Sequence, residues 1–391
     1  MIKKYTISTF NNVLILAIVV FGIYLCFVGG YGSDEDTLAM IYVFEKKLFE
    51  GSFASSRFTG YPVAELGIGF LAHFFGSWAS NLITFLLLII GLIYFYFSFA
   101  KKKFDNDLII FLILCLSSPV LFFDNVESID YSWAFFFYSI GLYYLRKNLF
   151  EFSIIFFGLA IGTRINFILF VIVVIFINDL DFKKNFKRKF FLATFSIFIG
   201  GLFYLPIWFD NHFGLDWLTA GRPTEQGLTG LILRFLYKTF LASGGVFAGF
   251  FIIYIICKYY NKIINNKYFV LIASLGISNL LIFLWIPAEL SYMQPFLIFL
   301  YFALLQSIKK KYIYILIFLN FVSWGYNLEL LQVNYRYQDK CMPIQALSAN
   351  FAPRIKYGHI SKFYKSRDMI NCWATGNSPR SIKIRAGKAL K

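Results

Sequence analysis

Three adjacent carboxylates, Asp34, Glu35 and Asp36, form the densest acidic cluster in the chain and stand directly after its first long apolar run. Neighbouring carboxylates disfavour one another's ionisation, so one of the three can work as a general base. Such a base takes the proton from a hydroxyl or amine as it attacks a sugar's anomeric carbon. The plainer alternative is a solvated loop in which Asp36 caps a helix over residues 38–49. Spacing alone does not separate the two.

Other polar residues follow at intervals. The stretch Ser56-Arg57-Phe58-Thr59-Gly60-Tyr61-Pro62 sets a cation and a turn beside the acidic cluster. Arg57 is either a fork of donors for phosphate oxygens or an anchor among lipid head groups, and Tyr61 shares its turn as a substrate-side candidate. A second acidic loop carries Asp124, Glu127 and Asp130; Asp130 opens a helix and could serve only as its N-cap. Arg164 lies in an apolar context, where a charge costs at least about 2.5–3.5 kcal/mol unless it meets a partner or water. Its bland explanation is snorkelling or a buried carbonyl partner. Glu289 follows Pro287 at the mouth of a hairpin, to orient substrate or simply to mark the loop, and Arg222 and Arg234 lie in a late polar loop.

The elements that must hold these residues are set by composition. The 391 residues are 59% hydrophobic and 21% aromatic, with 15% charged, more apolar surface than a soluble domain can hide, so the solvent for most of the chain is lipid. The expected fold is all-α: a polytopic integral membrane protein of about 11 transmembrane helices, because helices satisfy every backbone group inside hydrocarbon. The net charge of +16 sits in short Lys/Arg blocks between apolar runs, where it fixes orientation and meets membrane lipids; nucleic acid is not the expected partner. Lys3 and Lys4 put the N-terminus in the cytoplasm and the acidic loop, within residues 29–80, outside. The first run, about residues 10–28, reads as a retained anchor. Further spans fall at about residues 81–99, 108–122, 131–145, 191–209, 244–257, 268–286, 290–308 and 312–326. Between the fourth and the next, residues 151–178 read best as two short helices broken at Gly162-Thr163-Arg164. Each of about 13 residues reaches ~20 Å, less than a bilayer core, so the pair forms a V with Arg164 near its apex; one long span would put a lysine block on the wrong side. Residues 1–326 form the membrane domain and 327–391 a basic tail, external by this count, to lie on anionic lipid, bind a phosphorylated ligand or lack order. Cys26, Cys115 and Cys257 lie in apolar runs, while Cys341 and Cys372 in the tail could pair in an oxidising compartment. No metal-ligand spacing is present and no cofactor is indicated. There is no internal repeat.

Taken in order, these pieces resemble the GT-C superfamily of membrane glycosyltransferases, in its protein O-mannosyltransferase and aminoarabinose-transferase branch. The resemblance is carried by the acidic pair Asp34-Glu35, then SRFTGYPVAEL, IDYSWAFFFYSIGLYYL, GLAIGTRINFILF, FYLPIWF and PAELSYMQPFLIFL, over about residues 1–307. It implies an enzyme that moves a sugar with inversion from a polyprenyl-phosphate donor to a lipid, glycan or protein acceptor on the outer side of the cell membrane. It makes Asp34 the base with Glu35 and Asp36 assisting, Asp130 the second acidic residue, and Arg57 and Arg164 the holders of donor phosphate. Two other classes remain. A polysaccharide polymerase or ligase of the O-antigen type would depend on Arg222 and Arg234 rather than Asp34, and a flippase or transporter would show buried charge at broken helices in matching halves.

Overall fold

The computed structural model describes residues 2–30, 36–51, 56, 60–100, 105–177, 185–210, 232, 235–236, 238–239, 244–285, 290–337, 343–357, 359–360 and 363–364. The chain is a helical, membrane-embedded protein. Among the described residues, four helices are long and apolar enough to cross a bilayer: Thr9–Val28, Ser77–Phe99, Phe186–Phe209 and Gly245–Ile264. Their outward faces are apolar, with Phe10, Phe198 and Phe247 each more than half exposed, the arrangement that lipid rather than water favours.

The helices run in order as α1 (Ile2–Val28), α2 (Asp36–Glu50), α3 (Pro62–Phe75), α4 (Ser77–Phe99), α5 (Asn106–Ser117), α6 (Pro119–Phe123), α7 (Asp130–Arg146), α8 (Phe150–Thr163), α9 (Phe167–Ile177), α10 (Phe186–Asp210), α11 (Gly245–Ile264), α12 (Phe269–Trp285), α13 (Gln294–Ser307) and α14 (Lys310–Gly325). The run expected as one span over 108–122 is divided, because Pro119 lacks an N–H and forces Ser118 into an extended conformation. The break in the next apolar region falls where the sequence puts it: α8 ends at Thr163 and Arg164 is extended, at φ −146° and ψ 118°.

A wall of four helices, α4, α7, α8 and α10, packs in that order. Each seam has a glycine in it. A Cβ at Gly91 would stand 3.1 Å from the Phe136 backbone, one at Gly141 would stand 2.6 Å from the Phe157 ring, and one at Gly200 would stand 2.4 Å from Ile161 Cγ2. Without a hydrophobic force between helices in lipid, close backbone approach is what holds such a wall together. Gly200→Val is therefore expected to lower the unfolding midpoint of the detergent-purified chain, by about 1–3 kcal/mol of overpacking. Gly201→Val, whose Cβ would meet nothing within 4 Å, is expected to be near neutral in the same measurement.

Beyond α14 the fold gains an element that the basic tail did not suggest. Strands β1 (Tyr326–Tyr337) and β2 (Pro343–Tyr357) pair antiparallel, from Tyr326 opposite Tyr357 to Tyr337 opposite Pro343. The sequence YNLELLQVNYRY alternates in one phase through Leu328 and Leu330 and in the other from Leu331 through Val333 and Tyr335. The ladder shifts register between Glu329 and Leu331, which is how a bulge absorbs such a change of phase. Past the hairpin, Phe363 is buried with its ring 6.0 Å from that of Phe123, and the tail thereby returns to the end of α6.

The two ends of the bundle differ in chemistry. At one end the Tyr268 hydroxyl donates to the Phe99 carbonyl (2.9 Å), Arg146 lies over the rings of Phe99 and Tyr268, and Lys310 pairs with Asp107. At the other, amides, hydroxyls and a carboxylate from α4, the loop between α6 and α7, the segment before α13 and the start of α13 converge.

Candidate functional site

The break after α8 sets the site. The Arg164 N–H still donates to the Ala160 carbonyl (2.9 Å), but its side chain leaves the helix line and reaches the start of α7. There Arg164 Nη1 donates to Asp130 Oδ2 at 2.7 Å, with both side chains at most 2% exposed. Asp130 is the first helical residue of α7, one position inside the N-cap Ile129, so its charge also faces the positive end of the helix dipole. The cap role expected for it belongs to its neighbour, and its side chain is committed to the arginine.

Three tyrosines surround the guanidinium. Its carbon lies 3.4 Å from the ring centre of Tyr131, 4.8 Å from that of Tyr61 and 5.1 Å from that of Tyr292. Ring faces attract a desolvated cation, by about 2 kcal/mol or more where water is excluded. The sides left open by Asp130 are thus lined by aromatic rings. Tyr204 of α10 is buried, and its hydroxyl donates to the Ile161 carbonyl at 3.1 Å, close to the end of α8.

Beside this pair stands a second buried carboxylate. Glu65 Oε1 accepts from the Ser56 N–H (2.8 Å), the Ser56 hydroxyl (2.6 Å) and the Tyr61 N–H (3.2 Å), while Oε2 accepts from Lys47 Nζ at 3.0 Å. Glu65 lies in the first turn of α3 and is wholly buried. It therefore ties the end of α2, the turn at Ser56 and the start of α3 to one point. That point carries Tyr61, and hence one wall of the arginine box.

A layer of further polar groups completes this end of the bundle. Asn81 donates to the carbonyls of Cys26 and Gly30 and accepts from Ser128 at 2.7 Å, fixing the exit of α1 against the loop before α7. Asn125 donates to Gln294 Oε1 (3.2 Å) and accepts from Ser132, Ser291 donates to Asp124 (2.8 Å), and Trp133 donates to Thr84 (3.0 Å). Buried polar groups that satisfy one another in this way hold a loop in one conformation. The loop so held is the second acidic loop, residues 124–130.

Of the residues the sequence singled out, Tyr61, Asp130 and Arg164 come together. The backbone of Asp36 opens α2. Asp34, Glu35, Arg57, Arg222, Arg234, Glu289, Cys341 and Cys372 lie outside the described residues. Sequence reasoning missed Glu65, Lys47, Tyr131, Tyr204 and Tyr292. Glu65 left one usable signal, a lone acid in the apolar helix PVAELGIGFLAHFF, where an unpaired charge is costly. Among the described residues, no three His, Cys, Asp or Glu side chains converge as metal ligands would. No protein-family model, curated protein or solved structure matches the chain.

Proposed function

We propose that this chain is an inverting glycosyltransferase that moves a sugar from a polyprenyl-phosphate donor to an acceptor on the outer side of a cell membrane. The reading includes a bundle of about 11 spans with a cytoplasmic N-terminus, in which α8 and α9 are the arms of the short V. One observation carries it: a buried acid and arginine, Asp130 and Arg164, are fixed at the polar end of a membrane bundle, with the turn after Arg57 forming one wall. Buried charge in a membrane segment is costly and usually serves function.

In this scheme a carboxylate of Asp34, Glu35 or Asp36 takes the acceptor's proton as its oxygen or nitrogen bonds to the anomeric carbon. The bond from that carbon to the phosphate oxygen breaks on the opposite face, and polyprenyl phosphate leaves with the electron pair. Arg57 meets the phosphate oxygens. Arg164 already has a carboxylate partner and serves by fixing Asp130. The donor slides in from the lipid between helices, so its reacting carbon is positioned before the acceptor arrives from water.

The test is transfer from a panel of polyprenyl-phosphate sugars by purified protein, with Asp34→Asn and Asp36→Asn beside the wild type. Loss of transfer in one variant, with folding and donor binding kept, assigns the base. No donor consumption by wild type, or full activity in both variants, sinks the scheme. The buried pair at a helix break also favours a second reading, a transporter. Solute accumulation or lipid scrambling in proteoliposomes, lost in Asp130→Asn, would select it.

A further inference from the structure

At the basic end of the bundle, far from the pair just described, α11 and α14 meet in a cluster of lysines and tyrosines. Lys258 Nζ donates to the Tyr254 hydroxyl at 2.7 Å. The Lys258 nitrogen lies 5.1 Å from the Tyr254 ring centre and 5.5 Å from that of Tyr312. Lys262 lies over Tyr259 at 5.9 Å, and Lys311 over Tyr312 at 5.0 Å. The rings of Tyr259 and Tyr312 meet edge to face, 5.5 Å apart.

Three exposed ammonium groups therefore lie over the rings of three neighbouring tyrosines. Among the described residues, no carboxylate forms an ion pair with Lys258, Lys262 or Lys311. Positive charges gathered on one surface repel one another, and an anion lowers that cost. Phenol hydroxyls add directed donors, and a lysine already hydrogen-bonded to a phenol has less freedom left to lose on binding.

The backbone departs from helical geometry at the same place. Helix α11 is kinked at Tyr259, where φ is −111° and ψ is 17°, although neither proline nor glycine lies nearby. The residue at the kink is the one whose ring meets that of Tyr312. Beside this bend Lys258 faces the start of α14, with its nitrogen over the Tyr312 ring. Along the same two helices, Phe250, Ile253, Ile315 and Phe318 are exposed, an apolar surface continuous with the charged cluster.

We propose that this cluster is a binding site for the phosphodiester head group of an anionic phospholipid, whose acyl chains lie along the exposed faces of α11 and α14. A basic group at the membrane surface contributes about fivefold in affinity for anionic lipid. The phenols distinguish this site from scattered surface lysines, because they give it fixed donors at a fixed place. The site does not depend on the transferase reading.

Native mass spectrometry of the detergent-purified full chain, titrated with phosphatidylglycerol or phosphatidylcholine of the same acyl chains, tests it. The chain is expected to retain phosphatidylglycerol over phosphatidylcholine. Lys258→Gln combined with Lys262→Gln is expected to weaken that binding about 25-fold, and Tyr312→Phe, which removes no charge, about three- to tenfold. Lys147→Gln combined with Lys187→Gln removes the same charge elsewhere and is expected to leave binding unchanged. Equal retention of the two lipids overturns the proposal. So does an equal loss in the control pair, or an unchanged affinity in Tyr312→Phe.

Discussion

Arg164→Met is expected to destabilise the protein by about 3–5 kcal/mol, because it leaves the Asp130 carboxylate buried without its cation. Methionine matches the length of the arginine stem and still packs among Tyr61, Tyr131 and Tyr292, so the loss reports charge rather than volume. Asp130→Asn is expected to be destabilising for the reciprocal reason, with the guanidinium left to the rings alone. The double variant should recover most of either loss, since a neutral pair of similar volume removes two desolvation costs at once. Unfolding of the purified chain in a graded mixture of mild and denaturing detergent, followed by tryptophan fluorescence, measures all four proteins. Simple addition of the two single losses in the double variant would show that the residues do not act as a pair. The double variant has a further use: if it is stable yet transfers no sugar, the pair is kept for function and not for the fold.

Much of the helical framework was legible in the sequence because lipid imposes a simple rule. Apolar runs must be helices, and basic blocks mark their ends on one side. The break at Gly162-Thr163-Arg164 was legible for the same reason: one unbroken span would have put the lysine block that follows on the wrong side, so two short helices were the consistent solution. Its partner was not legible. Asp130 and Arg164 are 34 positions apart in sequence, and nothing in their spacing says that α7 and α8 lie side by side; the seam at Gly141 and Phe157 does that. The tyrosines were hidden by abundance, because 26 of them and 51 phenylalanines leave no contrast in which three stand out. The hairpin was hidden by charge. The basic residues of the tail masked an alternation in β1 that changes phase at Leu330 and Leu331, one of three points at which the ladder shifts register. Glu65 shows what a closer accounting of charge yields, since an acid in the first turn of an apolar helix has to be answered by a donor somewhere.

Glu65→Ala is accordingly expected to cost about as much as the loss of Arg164, about 3–5 kcal/mol, because Lys47 is left partly buried without its carboxylate and three further donors lose their acceptor. Glu65→Gln is the sharper variant. Its amide oxygen can still accept from Ser56 and Tyr61, but its NH2 group then faces Lys47 Nζ, donor against donor. A cost of about 1.5–3 kcal/mol is expected, the range for a hydrogen bond to a charged group. Adding Lys47→Met to Glu65→Gln removes that conflict and should return part of the loss, which a merely bulky or polar defect at residue 65 would not allow. The same detergent titration reads the stability. Proteolysis reads the geometry: with the anchor gone, cleavage between Phe49 and Tyr61 should quicken while the helix wall α4–α7–α8–α10 stays intact. Should the chain prove a transferase, the split in kinetics follows from the covalent order of the turn, because Arg57 is the residue after Ser56. Displacing Ser56 would raise KM for the polyprenyl-phosphate donor more than it lowers kcat. A Glu65→Gln protein as stable and as protease-resistant as wild type would show that Ser56 and Tyr61 are held by something else, and that Glu65 does not set the wall of the arginine box.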